Sequence, residues 1–236
     1  MTPAISFLLV LALFVSVYLY GKWRTLSRAE FIRTFRWPRG LLERLEKHHL
    51  GFQRKDSALV SRGLRQFFLA YLMSGKRYVS MPSQVADDLW HEFILYTREY
   101  DAFCRRAFGG FLHHAPAVVL SEHRKSNEGL RRVWWYCCKY ENIDPVNPTR
   151  LPLLFALDSK FNIANGFVYH PDCEELRKNG SGAAYCGGDF ADSSVDGSTS
   201  GFGDAGSDGS GHGGDGGGDG GSGGDGGGGG CGGGGD

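Results

Sequence analysis

The hydrophobic pattern divides the chain into three regimes. From Ala4 to Tyr20 no side chain is charged, and Ile5, Phe7, Leu8, Leu9, Val10, Leu11, Leu13, Phe14 and Val15 dominate. A helix needs about 17–25 such residues to cross a bilayer, so this run predicts a short transmembrane anchor. Beyond it the apolar positions take on helical spacing. Pro38 opens a predicted helix to about Leu50, with Leu41, Leu42 and Leu45 inward and Gly51 as its stop. Asp56 or Ser57 is the expected cap of the next, where Val60, Leu64, Phe67, Phe68 and Tyr71 share a face before Gly75. Ser83, after Pro82, caps a third and longest helix, expected to run to about Phe108 and to end at Gly109-Gly110. A fourth starts near Asn127 and carries Leu130, Val133, Trp134, Cys137 and Cys138 on one stripe. A fifth spans Leu151 to Lys160, and Pro171 to Leu176 can add a last turn. Strand signals at Tyr78–Met81 and Val118–Leu120 are too short for more than extended linkers.

The third regime is compositional. From about Gly187 the chain is mostly Gly, Asp and Ser, which cannot bury a core. The fold class that follows is mainly α: a transmembrane anchor at 4–20, a basic juxtamembrane linker at 21–34, an irregular helix-bundle domain at 35–178, and a disordered tail at 179–236. Deleting residues beyond about Gly187 should then leave the body folded. A calcium-binding nonapeptide array is excluded. The Asp residues at 204, 208, 215, 219 and 225 are spaced 4, 7, 4 and 6 apart, and the apolar residue of each repeat is missing.

A formal net charge of zero conceals a split. After Lys178 there are nine Asp and no Lys or Arg, so residues 1–178 hold 26 basic and 26 − 9 = 17 acidic side chains, about +9. A basic body joined to an acidic tail points to an anionic partner, either the lipid bilayer with its anionic headgroups or the chain's own tail, and no nucleic acid is predicted. Lys22, Arg24, Arg28, Arg33, Arg36 and Arg39 all follow the apolar run, and no basic side chain precedes it. The positive-inside rule then places the body in the cytoplasm, giving a single-pass membrane protein. A cleaved signal peptide is the alternative, but the exit Val17-Tyr18-Leu19-Tyr20-Gly21 is bulky. The six cysteines, two of them adjacent at 137 and 138, show no secreted disulfide framework.

Candidate chemistry concentrates in Asp87-Asp88-Leu89-Trp90-His91-Glu92 and in His113-His114. Asp87 and His91 are four apart and Asp88 and His91 three apart, so a carboxylate can orient the imidazole. A histidine so held can ligate a divalent metal or move a proton. The glycines at 109 and 110 let the chain fold back and bring His113 or His114 near it. The candidate metal set is therefore Asp87, Asp88, His91, His113 and His114. The alternative is a buried hydrogen-bonded Asp–His pair that locks helices together. On either reading His91 should be buried, flanked by Trp90, Ile94 and Thr97, beside a core stripe of Leu89, Phe93, Tyr96 and Tyr100. No Gly-x-Ser-x-Gly elbow, phosphate-binding loop or dinucleotide fingerprint is present.

The run Asp88-Leu89-Trp90-His91, with Tyr100, Cys104 and the later histidines, resembles the glycine-rich domain-containing protein family of plants, fungi and bacteria. The resemblance covers roughly residues 35–175 and implies one helical domain centred on Trp90-His91. Plant members often continue Trp-His-x-His, where Phe93 stands here, so it does not imply a second histidine ligand from this helix. The functional expectation is a membrane-anchored interaction or scaffolding protein; the alternative is a metal-dependent or acid–base enzyme centred on His91.

Overall fold

A helix buried over most of its circumference has to be surrounded by others. In the computed structural model that helix is α3, Arg54–Met73, which buries Val60, Leu64, Phe67, Phe68, Leu69, Ala70 and Leu72. The structure describes residues 3–114, 125–171, 185, 186 and 190, all within the contact unit Met1–Gly206; the second unit, Ser207–Asp236, contains none of them. Among the described residues the protein is mainly α, with seven helices. They are α1 (Pro3–Thr34), α2 (Leu41–His48), α3, α4 (Gln84–Leu95), α5 (Thr97–Phe108), α6 (Lys125–Tyr140) and α7 (Leu153–Phe161). α3 packs against α1, α2, α4, α6 and α7. At Gly63 a Cβ would lie 2.5 Å from Leu157 Cδ1, so the α3–α7 approach needs glycine. Two residues of β1 (Tyr169–His170) pair in parallel with β2 (Tyr185–Cys186), a pairing the sequence pattern did not suggest.

α1 runs unbroken through the expected juxtamembrane linker. At 32 residues it is about 48 Å long, against about 30 Å for a bilayer's hydrocarbon core. Every side chain from Ala4 to Arg24 is exposed, whereas Ala29 and Ile32 are buried and Phe31 and Phe35 pack on Phe103. Residues 21–34 are therefore helix, and their far end belongs to the core. It is the one helix, among the described residues, long and apolar enough to cross a membrane.

Local punctuation departs from expectation at three places. α2 starts at Leu41 rather than Pro38, because the chain first turns through Gly40 at φ +83°. α3 is capped by Gln53; Asp56 sits three residues in and accepts from the Gln53 N–H at 2.9 Å, while Ser57 donates to Glu46 on α2 at 2.5 Å. The expected long helix 83–108 is two helices, broken at Tyr96. On a straight helix residues ten apart are about 15 Å apart along the axis. Phe93 and Phe103 have ring centroids 5.4 Å apart, so α5 folds back across α4. The break is held from outside the helix: Tyr96 Oη donates to the Arg39 carbonyl at 3.2 Å, and the Arg44 guanidinium lies over the Tyr96 ring. Tyr96 is consequently half-buried at the turn and is not part of the core stripe, which keeps Leu89, Phe93 and Tyr100.

Two carboxylates cap helices other than their own. Asp158 on α7 is buried and accepts from Ser83 Oγ (2.7 Å), the Gln84 N–H (2.7 Å), the Val85 N–H (3.1 Å) and the Phe167 N–H (2.9 Å). Ser83 is the N-cap the sequence predicts, accepting from the Ala86 N–H at 3.3 Å. Glu141, after α6, accepts from the Leu153 N–H at 2.6 Å and from Gln66 at 2.7 Å, and pairs with Arg150. Burial alone would raise its pKa. The hydrogen bonds from Leu153, Arg150 and Gln66 overcome that and hold it below the ordinary carboxylate value.

Of the segments singled out in the sequence, Tyr78–Met81 is irregular, whereas Val118–Leu120, residues 172–176 and the tail beyond Phe190 lie outside the described residues. Cys104, Cys137 and Cys138 are buried free thiols, and burial pushes the Cys138 thiol up to about 12.

Phe190 corrects the tail boundary. It is 4% exposed, and its ring lies 5.2 Å from Trp134, 5.8 Å from Phe155 and 5.9 Å from Tyr169. A cut after Cys186 removes that ring from a packed aromatic cluster, at a cost of about 3–5 kcal/mol, as for Phe→Ala in a core. Truncation after Ala191 should leave urea unfolding unchanged, while truncation after Cys186 or Phe190→Ala should lower the midpoint clearly. Equal midpoints for both truncations would show that Phe190 contributes nothing.

Candidate metal centre

The candidate residues sit where α4 is least occupied by the core. Val85, Ala86, Leu89, Trp90 and Phe93 face inward, and His91, two residues or about 200° round from Leu89, faces out. Its side chain is 53% exposed, contrary to the expected burial. The expected carboxylate partner on the same helix is nevertheless beside it: His91 Nδ1 lies 3.4 Å from Asp87 Oδ2 and 3.0 Å from the Asp87 carbonyl. Asp87 itself is buried.

His114 completes the group from a distant part of the chain. Its Nε2 is 2.8 Å from Asp87 Oδ1, and its ring centroid is 4.1 Å from that of His91 and 4.5 Å from that of Trp90, the latter pair in an edge-type arrangement. The return of the chain to this point has a traceable cause. Gly109, at φ +79°, ends α5, and residues 111–114 then run back as irregular chain. Tyr100 Oη donates to the Leu112 carbonyl at 2.6 Å and accepts from Trp90 Nε1 at 3.1 Å, so a residue from each of α4 and α5 holds the segment two residues before His114. Burial pushes the Tyr100 phenol well above its usual value, which keeps it a donor. The Cys104 thiol beside it is also raised, by burial first, with a Leu112 backbone contact acting the other way.

One ligand atom from each of Asp87, His91 and His114 lies within 4.8 Å of the others. Two imidazoles and a carboxylate at that separation can surround a divalent ion of the zinc or iron(II) type, leaving coordination positions open. Without an ion the same groups form a hydrogen-bonded Asp–His–His cluster. The other two candidates go elsewhere. Asp88 is engaged by other partners: its Oδ2 is 3.0 Å from His49 Nε2 and its Oδ1 accepts from Gln84 at 3.2 Å. His113 is exposed and lies against Phe111, 4.8 Å between ring centroids.

A second line of contacts was not singled out in the sequence. Glu92 pairs with Arg44 at 3.2 Å and lies 3.7 Å from His48 Nε2, so α4 presents Asp87, Asp88, His91 and Glu92 with histidines on both flanks. The His48-His49 doublet just before Gly51 was the available signal.

The UCP032817-like profile matches residues 27–190, more than half of the chain. The chain belongs to the UCP032817-like family. The matched segment begins within α1, before the buried Ala29 and Ile32, and ends at Phe190; the apolar stretch 4–20 lies outside it. All of Asp87, His91, His114, Trp90 and Tyr100 fall inside the family segment. No curated protein and no solved structure matches the chain.

Replacing Tyr100 by Phe removes the donor to Leu112 and strands the Trp90 N–H. Each orphaned buried group costs about 1–3 kcal/mol. Tyr100→Phe should therefore lower the unfolding free energy by at least 1 kcal/mol, measured by urea titration. A change within error would mean that the phenol does not hold the Leu112–His114 segment.

Proposed function

We propose that the protein is a single-pass membrane protein whose cytoplasmic helical domain binds a divalent transition metal through Asp87, His91 and His114. The observation that carries this reading is the convergence of three ligand atoms within 4.8 Å, with Asp87 buried, His114 partly buried and His91 at the mouth. Three protein ligands with an open position are the pattern of a catalytic rather than a closed structural metal site. Bound there, the metal would supply Lewis acidity toward a water or a carbonyl. The protein's part is to orient His114 through Trp90, Tyr100 and Leu112, and to leave the site open to substrate on the exposed His91 side. The likeness of Asp88-Leu89-Trp90-His91 to glycine-rich domain-containing proteins belongs to this proposal as a suggested kinship.

Anchoring is supported by the helix itself. About five turns of exposed apolar side chains in water carry a large hydration cost, which lipid removes. The charge asymmetry around the anchor supports a cytoplasmic body. A reporter active only outside the cytoplasm, fused after Asp236, should stay silent, and the purified chain should begin before Ala4. An active reporter, or a mature chain starting after Tyr20, would overturn the orientation or the anchor respectively.

The interaction or scaffolding reading also has an observation in its favour. Asp87 already satisfies His114 at 2.8 Å, so the cluster can serve only to pin residues 112–114 onto α4. Metal analysis separates the two readings. The full chain in detergent should carry or take up about one zinc or iron equivalent. His91→Ala should weaken that uptake at least tenfold while leaving the melting temperature close to wild type, since His91 is half exposed. A chain that neither retains nor binds either metal would leave only the structural role.

A further inference from the structure

On another face of the bundle, Arg33, Arg62, Arg65, Gln66 and Tyr140 line a half-open hollow of about 210 Å³ between α1, α3 and α6. Three of its five lining side chains are guanidinium groups and none is a carboxylate. Like charges gathered around one hollow repel, and an arrangement of this kind persists most readily where an anion sits between them.

The partners of the three arginines show what capacity is unused. Arg65 donates from Nη2 to the Phe35 carbonyl at 2.5 Å and stacks over Trp37 at 4.8 Å. Its Nε is buried with no hydrogen-bond partner among the described residues. Arg62 is exposed and makes no hydrogen bond or ion pair among them. Arg33 is shared with Glu30 at 3.5 Å, a contact exposed on both sides, and lies over the Tyr140 ring at 5.8 Å. The other nearby carboxylate, Glu141, is committed to Gln66, Leu153 and Arg150. So the cations outnumber the anions at the hollow, and a buried guanidinium N–H lacks an acceptor.

We propose that this hollow is a binding site for a phosphate-type oxyanion, gripped by Arg33, Arg62 and Arg65 with the Tyr140 hydroxyl as a further donor. Guanidinium groups match the oxygens of a phosphate two at a time, where an ammonium offers one point charge. The volume is below the ~300–1,000 Å³ of drug-sized pockets, which suits a phosphate or a small phosphorylated compound. Two sources share this chemistry: a soluble phosphate and a lipid headgroup. On the anchored reading Arg33 stands 13 positions beyond Tyr20, roughly 20 Å along the helix axis. Headgroups occupy only roughly 5–8 Å beyond each edge of the hydrocarbon. Even a tilted helix carries Arg33 past that layer, so the soluble anion is favoured. This site is separate from the Asp87 cluster and does not depend on it.

The test uses the full chain in phosphatidylcholine nanodiscs, with EDTA present so that no metal at Asp87 can capture phosphate. Inorganic phosphate is titrated by calorimetry at constant ionic strength, with chloride as the balancing anion. Saturable binding is expected, weakened at least tenfold by Arg62→Glu and less by Arg62→Lys, with melting in the absence of phosphate no lower than wild type, because Arg62 has no partner to lose and the charge reversal relieves repulsion. A second arm replaces the lipid by phosphatidylglycerol. Unchanged phosphate affinity assigns the site to a soluble anion. A several-fold loss that Arg62→Glu abolishes assigns it to the headgroup. Absence of saturable phosphate binding in phosphatidylcholine, or equal binding by Arg62→Glu, overturns the proposal.

Discussion

A buried helix start leaves N–H groups that water cannot reach, and in this domain the carboxylate of Asp158 takes up that burden for α4. It is buried and accepts four hydrogen bonds, two of them from the first backbone N–H groups of α4 and one from the Ser83 cap. A negative charge at this end also complements the helix dipole. The carboxylate sits on α7, whose own first N–H is met by Glu141 at the end of α6. Both of these helix starts are thus closed by an acid from a neighbour, and the sequence of closures runs from α6 through α7 to α4. Two of the three candidate metal ligands, Asp87 and His91, lie on the helix at the end of that sequence, so their placement depends on Asp158, more than sixty residues away in the chain.

The second constraint is aromatic packing at the turn between α4 and α5. A straight helix would carry Phe103 away from Phe93; the break at Tyr96 lets both meet Phe35, and lets Phe103 also meet Phe68, in one cluster. Because α5 doubles back, the chain leaves it near α4 and His114 can reach Asp87. Packing of the core and assembly of the cluster therefore follow from the same turn.

Much of this was legible in the pattern of residues. The apolar run, the α3 stripe, the Ser83 cap and the Gly109 stop each have a local cause, and the i,i+4 pair Asp87–His91 follows from helical geometry. What the pattern did not show has its cause in tertiary contacts. No glycine or proline marks the break at Tyr96, which is held by Arg39 and Arg44. His91 is exposed because five neighbouring apolar residues already fill the inner face of α4. The choice of His114 over His113 rests on the Tyr100–Leu112 hydrogen bond. Phe190 was hidden by its glycine-rich surroundings, where a single aromatic residue barely changes the composition.

The continuity of α1 has a mechanical consequence. Its exposed apolar part and its core-bound end are one stretch of unbroken hydrogen-bonded helix, with Gly21 mid-way at an ordinary helical conformation. There is no swivel between them. A rotation of the outer segment about its own axis turns the whole bundle by the same angle, about 100° for each residue gained or lost. The azimuth at which the domain presents its faces is thus written into the register of one helix, as the angle of a key's teeth is set by its shaft.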